Sequence, residues 1–151
     1  MANSTRLSAQ QAYDQAGPGD QVIGWQIDSA QRRDLLSRLP PRYAQVVADH
    51  VTLRSKVAAD AEPPAGVTAE IVGRSDDGRG VEAMVVRIDG RTERPGGGTF
   101  HITWSLEPGR EARESNDAIA QHGWQPIAPP VAVQLAPGRY PRSGPATAAA
   151  G

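Results

Sequence analysis

The sequence reads as a small mixed fold in which short strands outnumber helices. Three observations carry this. Runs rich in β-branched residues alternate with Gly, Pro, Asp and Ser punctuation. Asp77-Gly78 sits between two apolar runs, which is the chemistry of a hairpin turn. Helical signals are confined to two short segments.

The elements follow in order. Residues 1–20, rich in Gln, Ala, Ser, Gly and Asp, read as a flexible N-terminal arm with at most one helical turn. Residues 22–27 form a short strand. Asp28-Ser29 then cap a helix that carries Leu35, Leu36 and Leu39 on one side and stops at Pro40-Pro41. Residues 46–55 read as a strand, residues 58–66 as a loop, and residues 67–73 and 81–88 as the two arms of the hairpin. Residues 89–98, with Pro95-Gly96-Gly97-Gly98, form a mobile connection into a strand at 99–106. Ser115 is the expected cap of a short helix that Gly123 ends. Residues 131–135 make a last strand, and 137–151 read as a disordered tail. One domain therefore spans residues 21–136, between arm and tail.

Composition bounds the function. The chain has 151 residues and a formal charge of −1, so a broad electrostatic grip on a nucleic-acid duplex is not expected. No Cys is present, which removes disulfides and thiolate metal sites. No apolar run approaches the length of a membrane span, and the first residues lack the apolar stretch of a secretory leader. A cytoplasmic location is the resulting expectation. Arginine outnumbers lysine fifteen to one, a bias that suits phosphate binding and that genomic base composition also produces.

One short repeat stands out. His50-Val51-Thr52-Leu53 and His101-Ile102-Thr103-Trp104 share the order His, apolar, Thr, apolar. Side chains alternate along a strand, so each His and its Thr point one way while the apolar pair points the other. Each copy offers an imidazole and a hydroxyl roughly 6.5–7 Å apart at the backbone. Opening a cyclic phosphodiester needs a base for the attacking water and an acid for the departing oxygen, and two imidazoles can fill both roles near neutral pH. Two Thr hydroxyls can donate to the phosphate oxygens. Which His is acid and which base stays open. A strand His is also commonly structural. A zinc site has two His available but no third ligand at a matching spacing.

The paired His-x-Thr motifs resemble those of the two-histidine (2H) phosphoesterase superfamily. The segment from His101 to Ser105, followed by Ser115-Asn116-Asp117, is similar in particular to the cyclic phosphodiesterase domain of transfer-RNA ligases. The likeness covers residues 43–135. It implies an α+β fold of two antiparallel-sheet lobes, related by a pseudo-twofold around a central cleft, with few helices outside. It implies metal-independent hydrolysis of a 2′,3′-cyclic or related cyclic phosphoester on a nucleotide or RNA end, with no cofactor. His50, Thr52, His101 and Thr103 match the motif and would be the catalytic set. This chain is shorter than many members, and Trp104 is bulky at the end of its motif. Kinase and ligase modules are absent, so a role in RNA repair would require separate kinase or ligase proteins.

Three further residues are candidates for substrate binding. Arg54 continues the His50–Thr52 face and suits a phosphate, or else is a solvated strand end. Ser105 takes the same place after Thr103 as an extra donor. Tyr43 either packs or stacks on a base at the cleft mouth. Trp104, Trp25, Phe100 and Trp124 read as packing residues, and His122 as a cation near a helix end. The loop at 95–98 lacks the Lys and Ser/Thr of a phosphate loop and reads as a connection or a lid. A non-catalytic module that binds a nucleotide or RNA-end phosphate would use the same cleft.

Overall fold

The computed structural model describes residues 7–142. The parts of the expected arm and tail at 1–6 and 143–151 lie outside the described residues. The fold is α+β, with three helices and one strongly curled antiparallel sheet of seven strands in the order β2-β6-β5-β4-β7-β1-β3. The strands are β1 (Pro18–Gln26), β2 (Gln45–Val46), β3 (His50–Val57), β4 (Val67–Asp76), β5 (Val81–Arg87), β6 (His101–Leu106) and β7 (Gln125–Pro141). The helices are α1 (Ala9–Gln15), α2 (Ser29–Arg38) and α3 (Glu114–His122).

Local chemistry explains the helices. Ser8 and Gln11 make a reciprocal capping box that starts α1. Asp28 accepts from the Gln31 amide at 2.8 Å and caps α2 as its sequence predicts. Gly123, at φ 68°, ends α3. Ser115 is not the α3 cap: Arg113 holds that position, and the Ser115 hydroxyl turns inward instead.

Both expected termini of the domain move outward. Residues 9–15, read as arm, are helical because α1 lays its apolar residues Ala12 and Tyr13 against the core. β1 begins at Pro18 and not at residue 22. At the other end, residues 137–141 are strand and not tail, paired with β1 from Pro137↔Trp25 to Pro141↔Gln21. β7 is long because it changes partner. Its first part pairs with β4, and from Ala136 it pairs with β1. Pro129 and Pro130 fall between Pro126↔Gly73 and Val131↔Ile71, where the ladder is interrupted and a missing amide costs no bond.

The curl is made by the chain between β2 and β3. β2 pairs with β6, and the pairing continues as Val47 and Ala48 donate to the carbonyls of Trp104 and Thr103, each at 2.9 Å. Ala48 then takes a φ of 47°, a left-handed conformation that costs an L-residue roughly 1–2 kcal/mol. The next carbonyl, Asp49, accepts from Ile27 at 3.0 Å, and His50 pairs with Gln26 of β1. One segment thus binds both ends of the sheet and draws β3 toward β6.

Packing fixes which side is the core. Val51, Leu53, Ile102, Trp104, Ile23, Trp25, Leu35 and Met84 fill the interior. Burying each aliphatic side chain contributes roughly 1.5–3 kcal/mol. Trp25 and Trp104 are completely enclosed, and their indole N–H groups donate to Ala65 and Leu39 carbonyls at 2.8 and 2.9 Å. Trp124 is the exception among the aromatics expected to pack, at 36% exposure. A smaller apolar cluster of Val72, Ala83, Val85 and Ile119 seats α3 on the opposite face of the sheet.

Candidate functional site

The two motif strands meet. His50, Thr52, His101 and Thr103 all line one pocket of about 410 Å³. Along β3 the alternation is regular: His50, Thr52 and Arg54 are partly exposed while Val51 and Leu53 are buried. On β6, His101 and Thr103 share the face of Val85 and Ala83 on β5, which is the face α3 covers. The N-terminal turn of α3 therefore forms one wall, with Arg113 and Asn116 on the pocket. The 95–97 loop forms another, packed on Tyr13 of α1. A Cβ at Gly96 would lie 2.0 Å from the Tyr13 hydroxyl, and the φ of 83° there favours glycine as well.

The two histidines have different surroundings. The His50 ring is half-buried, with Nδ1 against the buried carboxylate of Asp49. A carboxylate only accepts, so Nδ1 carries a proton and Nε2 is the free ring nitrogen. The Tyr140 ring meets His50 edge-on with centroids 5.3 Å apart. His101 is buried, and its Nδ1 donates to the Thr99 carbonyl at 2.8 Å. Its Nε2 is likewise the free nitrogen. Burial pushes the His101 pKa down to about 4; the Thr99 bond opposes this, and the neighbouring Arg94 and His50 charges add to it. His101 is therefore a neutral imidazole at pH 7.

The two threonines differ as well. The Thr103 hydroxyl meets the Ser115 hydroxyl at 2.9 Å and donates to the Ala112 carbonyl at 3.2 Å. Its proton is committed to protein. Thr52 is more open. It faces the buried Tyr140 hydroxyl, which meets no partner at full hydrogen-bond geometry. Burial raises the Tyr140 pKa, with Thr52 opposing and Asp49 reinforcing.

Of the three expected binding residues, Arg54 lines the pocket and Ser105 and Tyr43 do not. Ser105 fails because of a β-bulge. Thr103 pairs with Ala83 and Ser105 with Glu82, so two residues of β6 advance against one of β5 and the faces swap. Ser105 is fully buried, donates to Glu82 at 2.6 Å and accepts from the Tyr43 amide at 3.1 Å. Tyr43 is held elsewhere by a 2.6 Å bond from its hydroxyl to Asp76, and burial with that bond raises its pKa to about 12.

Sequence reasoning passed over Asp49, Arg94 and Tyr13, and named Asn116 only within the Ser115–Asp117 segment, with no role of its own. Asp49 stands directly before the first motif, and its burial is the signal that only packing reveals. Arg94 reaches from the connecting loop to the Thr52 carbonyl at 3.4 Å and to Asn116 at 3.0 Å, tying the loop, β3 and α3 together. Among the described residues, no group of three or more His, Asp or Glu is placed to hold a metal ion. No helix among them is long and apolar enough to cross a membrane. Comparison with protein-family models, with curated proteins and with solved structures finds no match for this chain.

Proposed function

We propose that this protein is a metal-independent phosphodiesterase that opens a 2′,3′-cyclic or related cyclic phosphoester on a nucleotide or RNA end. The observation that carries the reading is the convergence of both His-x-Thr pairs on one pocket, each His with its Nε2 free. On this reading the two halves of the sheet act as pseudo-twofold lobes, each giving one motif to a central cleft.

The unequal surroundings divide the roles. His101 starts neutral, so its Nε2 takes a proton from water as the water oxygen attacks phosphorus. His50 carries the second proton on Nε2 and delivers it to the ribose oxygen as the phosphorus–oxygen bond breaks. Asp49 holds the His50 ring in place and balances its charge, as a carboxylate does behind a catalytic imidazole. Thr52 and Arg94 stabilise the charge that grows on the phosphate. The product is a phosphomonoester with one hydroxyl released. His101 returns its proton to solvent and His50 regains one.

The test is a substrate panel followed by phosphorus NMR with chelator present. The panel holds 2′,3′-cyclic nucleotides, an RNA end with a cyclic phosphate, and an ADP-ribose cyclic phosphate. Conversion to a phosphomonoester in chelator is the expected result. Conversion that stops with chelator and returns with zinc or manganese would overturn the metal-independent mechanism. The Thr103 hydroxyl, committed to Ser115 and Ala112, favours a second reading, a module that binds a nucleotide or RNA-end phosphate without turnover. Binding without cleavage across the panel would select it.

A further inference from the structure

The pocket is lined by Arg54, Arg94, Arg113, Arg142 and the two histidines, and by no Asp or Glu. A chain of net charge −1 has concentrated cations here. Arg113 is neutralised by Glu111 at 2.5 Å. Arg54, Arg94 and Arg142 form no ion pair among the described residues. A cyclic phosphodiester carries a single negative charge, which Arg94 beside Thr52 and His101 already answers.

Arg54 is placed for something else. Its backbone lies roughly 6.5–7 Å beyond that of Thr52 along β3. Its Nη1 donates to the carbonyls of Tyr13 at 2.6 Å and Ala16 at 3.3 Å, and the guanidinium lies 4.6 Å over the Tyr13 ring. Nε and Nη2 make no hydrogen bond among the described residues. The group is thus held by neutral acceptors with one side of its fork open, a form suited to phosphate. Arg142 lines the same pocket. It follows Pro141, which pairs with Gln21 of β1, and β1 carries Ile23 opposite Arg54.

We propose that Arg54, with Arg142, forms a subsite for a second phosphate, so that the substrate is a cyclic phosphoester with a further phosphate on the same nucleoside. This inference rests on the phosphodiesterase reading for the first phosphate. The second phosphate is either a terminal 5′-phosphate or the internal diester of an RNA end.

The test separates binding from turnover. Calorimetry compares a nucleoside 3′-monophosphate with the 3′,5′-bisphosphate on the whole chain. Kinetics compare a 2′,3′-cyclic nucleotide with its 5′-phosphorylated form and with a dinucleotide that ends in the cyclic phosphate. The second phosphate is expected to gain roughly 10- to 100-fold, the scale of hydrogen bonds to charged groups. The gain should shrink toward unity in Arg54→Gln and fall in Arg142→Gln. Arg142 is exposed, so its variant serves if loss of the Tyr13 anchor unfolds the first. A larger gain with the 5′-monoester assigns a terminal phosphate, and an equal gain with the dinucleotide assigns an RNA end. Equal binding of mono- and bisphosphate, or a gain that survives both substitutions, would overturn the subsite. A bisphosphate gain lost in Arg54→Gln without any turnover would keep the subsite and remove the catalytic reading.

Discussion

His50 and His101 stand in nearly the same four-residue string, on strands that face one pocket, yet their environments are opposed. The β3 copy is open and polar: its imidazole meets a carboxylate, its Thr is accessible, and Arg54 extends its row. The β6 copy is closed: its imidazole is buried on a backbone carbonyl, and its Thr bonds to Ser115 under α3. The difference arises from what covers each strand. β3 ends the sheet and borders solvent, whereas β6 lies inside it and carries a helix on its His face. Two copies of a motif placed at different depths acquire different surroundings, and on the proposed mechanism that inequality separates the base from the acid.

The comparison breaks most directly at the imidazoles. His50→Ala and His101→Ala should each slow cyclic-phosphate hydrolysis by roughly 10²–10⁴-fold, measured as kcat on a cleaved substrate. The double variant should lose less than the product of the two, because they act as a unit. Near-wild-type turnover in both singles would remove the proposed mechanism.

The threonines should separate rate from stability. Thr52→Ala is expected to lower kcat by roughly 10²–10³-fold, the loss of one preorganised donor. Thr103→Val should instead destabilise the fold by about 1–3 kcal/mol, since it leaves the buried Ser115 hydroxyl without this partner. Urea unfolding beside steady-state kinetics distinguishes them. Equal effects from the two substitutions on both measurements would erase the contrast.

Asp49→Asn sharpens the β3 side. It should cut kcat by at least about tenfold with little change in KM, by loosening the His50 ring and its tautomer. The acidic limb of the pH–rate profile, set by His101, should stay in place while kcat falls. A variant that changes only the melting temperature would make Asp49 structural.

The smallest effect is on stability against pH. His101 binds a proton only near pH 4 when folded and near 6.5 when unfolded, so between these values the unfolded chain holds more protons. Stability is then full above pH 6.5, falls as pH drops toward 4, and loses at most about 3 kcal/mol from this group. His101→Gln should flatten that slope in urea midpoints taken at pH 7, 5.5 and 4. In kcat/KM, the same residue as base places the acidic limb near pH 4, with activity lost below it.

Much of this protein was decided by local chemistry legible in its residues. The His-x-Thr alternation, the Asp28 cap, the Gly123 stop and the 77–78 turn follow from spacing and side-chain type within a few positions, so their physics is contained in the string. Arg54 joined the pocket because the alternation of faces holds from His50 to Arg54, although the pairing with β1 shifts register there. The same rule misassigned Ser105, because a bulge set by pairing with β5 reverses the face after Thr103. Tyr43 went to Asp76 and Asp49 went under His50 through contacts that no local pattern encodes. The extent of β7 depended on its exchange of β4 for β1, which outweighed its prolines. Whether two like histidines would be equal was also beyond the string. A pKa depends on burial and on neighbouring charge, and both exist only once the sheet curls and α3 closes over one of them.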